Sequence, residues 1–336
     1  MNSNSVSAAP APDSTVGLSR RAALARAGLL LGGALTGIAA PGVTRAAERP
    51  PAAAAGDFIF CLNTATIRGQ KLGLVKEIEI AAEAGFQAIE PWVSSIEEYQ
   101  KAGGKLPELR QRLGDRGLIV ASGIGFPEWI VDDDTRRAAG LEQAKRDFDR
   151  IAQLGGRRIA APPAGATEVA NLDLRRAAER YRALLEVGDG LGVQPMLELW
   201  GFSKCLNRLS EVTFVAIESG HPQAGVLADV YHLHKGGSAP TSLRLLSGAA
   251  MPVFHVNDYP AEPPREKITD GHRVFPGDGV APLGQLLRDV RRCGGQPVLS
   301  LELFNREYWQ QDPLTVARTG LTKMKAAAAK AVSEAG

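Results

Sequence analysis

Four short apolar runs each end on a side chain that can ligate a metal ion, and this regularity constrains the fold more than any other feature of the chain. The runs are Pro195 to Glu198, Ala224 to Asp229, Met251 to His255 and Pro297 to Glu302. Apolar runs of this length, separated by stretches long enough for a crossover helix, are the pattern of a parallel sheet covered on both faces. When such a sheet closes into a barrel, the C-terminal ends of its strands meet at one rim, so side chains far apart in sequence can converge there.

Extending the reading gives eight strand-like runs: Phe58 to Asn63, Phe86 to Glu90, Leu118 to Ser122, Arg158 to Ala161, Val193 to Glu198, Gly225 to Asp229, Val253 to His255 and Val298 to Glu302. Helical patterns alternate with them over Lys71 to Ala84, Leu106 to Arg116, Asp134 to Leu154, Leu172 to Gly188, Leu209 to Glu218, Ser242 to Leu246, Leu283 to Arg292 and Pro313 to Ala331. Gly85, Gly117, Gly155, Gly192 and Gly294 fall just after helical stretches, where a left-handed stop residue belongs. The expectation is an α/β protein, a single (β/α)8 TIM barrel spanning residues 57–336, with no internal repeat or linker after residue 57.

Residues 1–56 lack this rhythm and are rich in Ala, Ser, Gly and Pro. Ser19-Arg20-Arg21 precedes an apolar stretch from Gly28 to Ala40, and Thr44-Arg45-Ala46-Ala47 offers small residues for a signal peptidase. Paired arginines before a modest apolar region suggest a twin-arginine signal and use of the twin-arginine export machinery. The apolar stretch is too short to cross a bilayer, so no stable membrane insertion is expected. The expected location is therefore periplasmic or secreted.

Charge argues for a small neutral partner. The chain is formally +2, and the first 47 residues hold four arginines against Asp13, which leaves the remainder slightly acidic. Nucleic-acid binding normally requires a concentrated basic surface. The three cysteines, Cys61, Cys205 and Cys293, are too far apart for a zinc-ribbon pattern and are read as buried apolar side chains.

Glu198, Asp229, His255 and Glu302 together offer three carboxylates and one imidazole. Such a hard to borderline set suits one divalent ion, Mn2+, Mg2+, Co2+ or Zn2+, with no thiolate to select a softer metal. Aromatic residues cluster near strand ends: Trp92, Phe126, Trp129, Trp200, Phe202 and Phe304. Flat faces of this kind pack on sugar C–H surfaces, while Glu128, Lys204, Asn257 and Arg273 can meet hydroxyls. Glu90 either hydrogen-bonds substrate or pairs with Arg68.

Ala88-Ile89-Glu90-Pro91-Trp92, Leu197-Glu198, Asp229-Val230-Tyr231-His232, His255-Val256-Asn257-Asp258, Pro276-Gly277-Asp278-Gly279 and Leu301-Glu302 occur in order at successive strand ends and loops. In this the chain, from about Phe58 onward, resembles the xylose-isomerase-like barrels, which include sugar isomerases and epimerases, inosose dehydratases and endonuclease IV. The resemblance implies a metal held by Glu198, Asp229, His255 and Glu302, with Glu198 and Glu302 facing each other as acid and base. It implies an isomerase or epimerase acting on a carbohydrate through an enediolate, or a lyase or dehydratase acting on a keto-sugar, 3-keto-glycoside or inosose. His232 binds a substrate hydroxyl or a second ion in that arrangement, and the Asp270-x-His272 pair resembles extra zinc ligands of the endonuclease branch. All five histidines follow residue 220, so a three-zinc cluster lacks its earlier ligands. A sugar-binding barrel without chemistry is the remaining alternative, and a homo-oligomer is possible on any of these readings.

Overall fold

A computed structural model of the chain describes residues 58–333. The expected export signal and its cleavage region lie outside the described residues. Within them the elements run β1 (Ile59–Asn63), α1 (Leu74–Ala84), β2 (Ala88–Glu90), α2 (Val93–Lys101), α3 (Leu106–Asp115), β3 (Ile119–Val120), α4 (Asp134–Gln153), β4 (Arg158–Ala161), α5 (Leu174–Asp189), β5 (Gln194–Glu198), α6 (Leu209–Glu218), β6 (Val226–Asp229), α7 (Val230–Gly236), β7 (Val253–Val256), α8 (Leu283–Arg292), β8 (Val298–Leu301) and α9 (Pro313–Ser333).

The eight strands form one sheet in the order β3-β2-β1-β8-β7-β6-β5-β4, and every ladder is parallel. β3 and β4 share no ladder. The seam between them is bridged by Gly123, which donates its N–H to the Arg158 carbonyl at 3.1 Å and accepts from the Ala160 N–H at 2.8 Å. A side chain at Gly123 would lie 2.3 Å from the end of Ile151, so a residue without Cβ suits the closest approach of the two edges. The result is the expected (β/α)8 TIM barrel.

Helix ends follow local chemistry. Asp133 and Asp173 cap α4 and α5 by accepting from exposed backbone N–H groups. The five glycines expected to stop helices all take positive φ, from 66° at Gly192 to 94° at Gly85.

Two helices were not expected. α2 starts two residues after β2 without a side-chain cap, and α7 starts directly at the end of β6, where Val230-Tyr231-His232 looks more like a strand-end motif than a helix. The helix expected over Ser242 to Leu246 is a 3-10 segment at Pro240–Leu245.

Side chains pack in two layers. The larger core lies between the strands and the helices. A smaller cluster fills the barrel interior: Cys61, Ala88, Ala121, Ile124, Ala160, Met196, Leu227, Val253 and Val298. Alternate strand residues share a face. Asn63, Glu90, Glu198, Asp229, His255 and Ser300 each follow an inner-cluster residue by two positions and therefore enter the same interior, one layer nearer the C-terminal rim.

Cys61 and Cys205 are buried and Cys293 is half-buried, all as free thiols. No helix among the described residues is long and apolar enough to cross a membrane.

Glu77, in the first turn of α1, is buried and its Oε2 has no hydrogen-bond partner among the described residues. Burial raises its pKa from 4.5 to about 7 despite the opposing charge of Arg68. A carboxyl group protonated in the fold but ionised in the unfolded chain contributes stability that is full below pH 4.5 and lost as pH rises through about 7. Glu77→Gln is expected to flatten the decline in unfolding free energy across that window, by up to about 3 kcal/mol at 1.36 kcal/mol per pKa unit. Urea titrations at several pH values measure it, and an unchanged slope would show that the group ionises freely.

Candidate active site at the C-terminal rim

Glu198, His255 and Glu302 meet at the rim, each offering one ligand atom within 4.8 Å of the others, and all three are buried. Asp229 stands beside them, its Oδ2 3.9 Å from His255 Nδ1. Asp229 lies outside the tight group because its oxygens serve other donors: Oδ1 caps α7 by accepting from the His232 N–H at 2.8 Å, and Oδ2 accepts from Asn257 Nδ2 and Arg273 Nη1 at 2.8 and 3.0 Å.

Arg273, from the connection between β7 and α8, is the central cation. Its Nη1 donates to Asp229 Oδ2 and, at 2.8 Å, to Glu302 Oε2, while Nη2 donates to Asp270 Oδ1 at 2.5 Å and lies 3.0 Å from His232 Nε2. Tyr231 and Phe304 pack on the guanidinium at 4.6 and 5.1 Å. The side chain is only 1% exposed. Burial opposes its charge, but Asp229, Asp270 and Glu302 outweigh that and raise its pKa further.

His255 is oriented from behind. Its Nε2 lies 2.9 Å from Glu90 Oε2, which also accepts from Asn63 Nδ2 at 3.0 Å and Ser300 Oγ at 2.7 Å. The Nδ1 edge faces Glu302 Oε2 at 3.1 Å without a well-aligned hydrogen bond. Burial would lower the imidazole pKa, but Glu302 and Glu90 override it and hold the pKa well above the usual value.

Two carboxyls at the same rim are driven apart. Burial, reinforced by the charge of Glu302, raises Glu198 to about 8. Burial also acts on Glu302, but His255 and Arg273 overcome it and hold that carboxyl well below its ordinary value. Without a metal ion, burial therefore favours the protonated form of Glu198 while the charges of His255 and Arg273 favour the ionised form of Glu302.

Above this floor lies a cavity of about 280 Å3. Its wall is an arc of rings, with centroid separations of 6.2 Å (Phe304 to Trp92), 5.1 Å (Trp92 to Phe126), 6.0 Å (Phe126 to Trp200) and 5.1 Å (Trp200 to Phe202). Glu198, Glu302, His232 and Arg273 form the polar part of the lining.

Several residues expected to contact substrate take other roles. Trp129 is fully buried against Tyr181, with its indole N–H donated to the Pro162 carbonyl at 2.8 Å, so it belongs to the core between loop and helix. Glu90 is buried behind His255 rather than lining the cavity, and it does not pair with Arg68, which stacks on Trp92 at 3.9 Å. Asn257 is a brace, donating to Asp229 and accepting from the Tyr231 N–H at 3.0 Å. His272 is exposed in an adjoining groove.

His232 does line the cavity, but its Nδ1 accepts from the Gly201 N–H at 3.2 Å and its Nε2 faces Arg273. Burial and Arg273 lower its pKa, so the ring is neutral. Asn63 went unnoticed in the sequence. Its Nδ2 donates to Glu90 and, at 3.1 Å, to Glu302 Oε1, and its Oδ1 accepts from Trp92 Nε1 at 3.3 Å. Its place as the last residue of β1 was the available signal.

Fold and site together define a TIM-barrel protein with a buried carboxylate-imidazole cluster at its C-terminal rim. A family model described as "Xylose isomerase-like TIM barrel" matches residues 78–327, and the chain belongs to that family. It is similar to an inosose isomerase of Bacillus velezensis, 26% identical over 75% of this chain and 90% of the relative. It is also similar to a 3-dehydroshikimate dehydratase of Pseudomonas putida, 24% identical over 69% of this chain but only 36% of that longer protein. Among solved structures, the IolI protein with a bound zinc atom superposes with a TM-score of 0.75 at 21% identity, covering 81% of this chain and 99% of that one. These homologues are enzymes.

Arg273→Met is expected to leave Asp229 and Glu302 buried without their cation, costing about 3–5 kcal/mol, and Arg273→Lys is expected to recover only part of that because an ammonium lacks the planar fork. Chemical denaturation of the three proteins tests this. Equal stability of all three would show that the guanidinium is not the compensating charge.

Proposed function

We propose that the protein is a divalent-metal-dependent isomerase or epimerase of a small carbohydrate, moving a proton next to a carbonyl through an enediolate. The observation that carries this reading is the meeting of Glu198, His255 and Glu302 within 4.8 Å of one another beneath one aromatic-walled cavity. A cavity of this size, mainly apolar with a few convergent polar groups, suits a single sugar ring.

The residues fit a metal ion. Glu198 Oε2 and His255 Nδ1 are buried without hydrogen-bond partners among the described residues, and a cation held with Glu302 would satisfy both. Glu198, Asp229, His255 and Glu302 would be its ligands, with Glu90 holding the imidazole from its other nitrogen as outer-shell carboxylates commonly do. Three carboxylates and an imidazole without thiolate favour Mn2+, Mg2+, Co2+ or Zn2+. When bound, such an ion polarises a carbonyl oxygen and stabilises charge developing on it.

The protein's own groups account for the proton. Glu302, ionised, removes it from carbon. Glu198, across the site from Glu302, returns one, and the face and carbon to which it returns decide between epimerisation and isomerisation. Trp92, Trp200 and their neighbours exclude water from the cavity. Tyr231 and Phe304 fix Arg273, whose charge keeps Glu302 ionised.

A second reading, dehydratase or lyase action, shares the first step and differs in passing a proton to a departing hydroxyl or alkoxide. The similarity to a 3-dehydroshikimate dehydratase supports it.

Glu198→Gln and Glu302→Gln are each expected to reduce turnover by about 10²–10⁴-fold, and treatment with a chelator is expected to abolish it until a divalent ion is restored. Deuterium uptake from solvent at the carbon next to the carbonyl, followed over keto-sugars and inososes, is the readout, and product analysis separates isomer from dehydration product. Full turnover in both variants would end the two-carboxylate mechanism.

We also propose export through the twin-arginine route, on the strength of Ser19-Arg20-Arg21 and the apolar stretch after it. Replacing both arginines by lysine is expected to retain the precursor in the cytoplasm on cell fractionation. Normal export of that variant would refute the assignment.

A further inference from the structure

The connection from β7 to α8 and the segment after β8 face each other across a second cavity of about 750 Å3, lined by Thr269, Gly271, His272, Arg306 and Trp309 among others. Asp270 and Phe304 line both this groove and the inner cavity. The two spaces therefore share these two side chains as lining, and Asp270 is the partner of Arg273.

Building on the carbohydrate reading above, we propose that this groove is a second subsite for the ring or aglycone attached to the reacting sugar, so that the substrate is a keto-glycoside. The inner cavity, about 280 Å3, falls just below the range of ligand sites, about 300 to 1,000 Å3, and suits no more than one ring. The outer groove is more than twice as large.

The groove's chemistry matches a sugar or aryl group. Phe304 and Trp309 supply aromatic surface. His272 Nδ1 accepts from the Thr269 N–H at 3.1 Å, which places the ring proton on Nε2, and Nε2 has no partner among the described residues. The Arg306 side chain likewise has no ion pair or hydrogen bond among the described residues and is exposed. Asp270 gives Oδ1 to Arg273 and stands half-buried at the boundary, where its other oxygen can accept from a hydroxyl of either ring. Asn305 ties the groove to the reaction floor, donating to the Arg273 carbonyl at 3.1 Å and accepting from the Glu307 N–H at 2.9 Å.

Gly271 allows a steric test, since a Cβ there would meet only Thr269 Oγ1 at 3.8 Å. Solvent-deuterium exchange is measured with 3-keto-glucose and with the corresponding 3-keto-disaccharide, in the wild-type protein, Gly271→Phe and Arg306→Ala. The wild type is expected to prefer the disaccharide by about tenfold in kcat/KM, as one added ring contact implies. Both variants should lose that preference through KM while exchange of the monosaccharide stays the same. Equal kcat/KM for the two substrates in the wild type, or a preference that survives both variants, overturns the subsite.

Exchange with neither compound would instead sink the proton-transfer reading. Calorimetric titration of cellobiose against glucose then decides the subsite: tighter cellobiose binding that Gly271→Phe removes supports it, and equal affinity rejects it.

Discussion

Four carboxyl groups, Glu90, Glu198, Asp229 and Glu302, are buried together at the mouth of the barrel, and how their charge is offset governs everything else at the site. An ionised carboxylate in a dry interior costs several kcal/mol unless it is paired or hydrogen-bonded. Glu90 has Asn63, Ser300 and His255; Asp229 has Arg273, Asn257 and a helix N-terminus; Glu302 has His255, Arg273 and Asn63. Glu90 Oε1 and Glu198 Oε2 have no hydrogen-bond partner among the described residues, and burial with the charge of Glu302 opposes ionisation of Glu198. The four carboxyl groups thus face two cationic side chains, Arg273 and His255, and His255 Nδ1, though 3.1 Å from Glu302, makes no hydrogen bond among the described residues. That excess of acidic groups supports a resident cation, whose binding would ionise Glu198.

The scaffold makes this arrangement rigid. Glu90, Glu198, Asp229 and His255 each sit two positions after a member of the small inner cluster, so the pleat fixes their direction and the layer below fixes their height. Arg273 arrives from a loop, yet it is held by acids on one side and by Tyr231 and Phe304 on the others. The aromatic arc closes the remaining side and joins the reaction floor to the groove beyond Asp270.

Much of the fold could be read along the chain. Apolar runs, helical stretches and left-handed glycines recur in an order that a parallel barrel explains, and the ends of β5 to β8 disclosed the four candidate ligands. α2 and α7 escaped because each follows its strand almost at once, leaving no loop residues to announce a start. Trp129 was misplaced because a tryptophan near a strand end reads the same whether it faces a cavity or packs against Tyr181. Glu90 and Asn63 were misjudged or missed for a related reason: an outer-shell role is defined by partners 27 to 239 residues away.

The sequence by itself determined the strand-helix alternation and the chemical types brought to the rim, because side-chain period and residue identity are local properties. Tertiary structure alone decided which carboxyl is pushed towards its protonated form and which towards its ionised form, that Arg273 is the central cation, and that Glu90 stands behind His255. Those outcomes depend on burial and on distances between charges, and neither exists until the barrel closes.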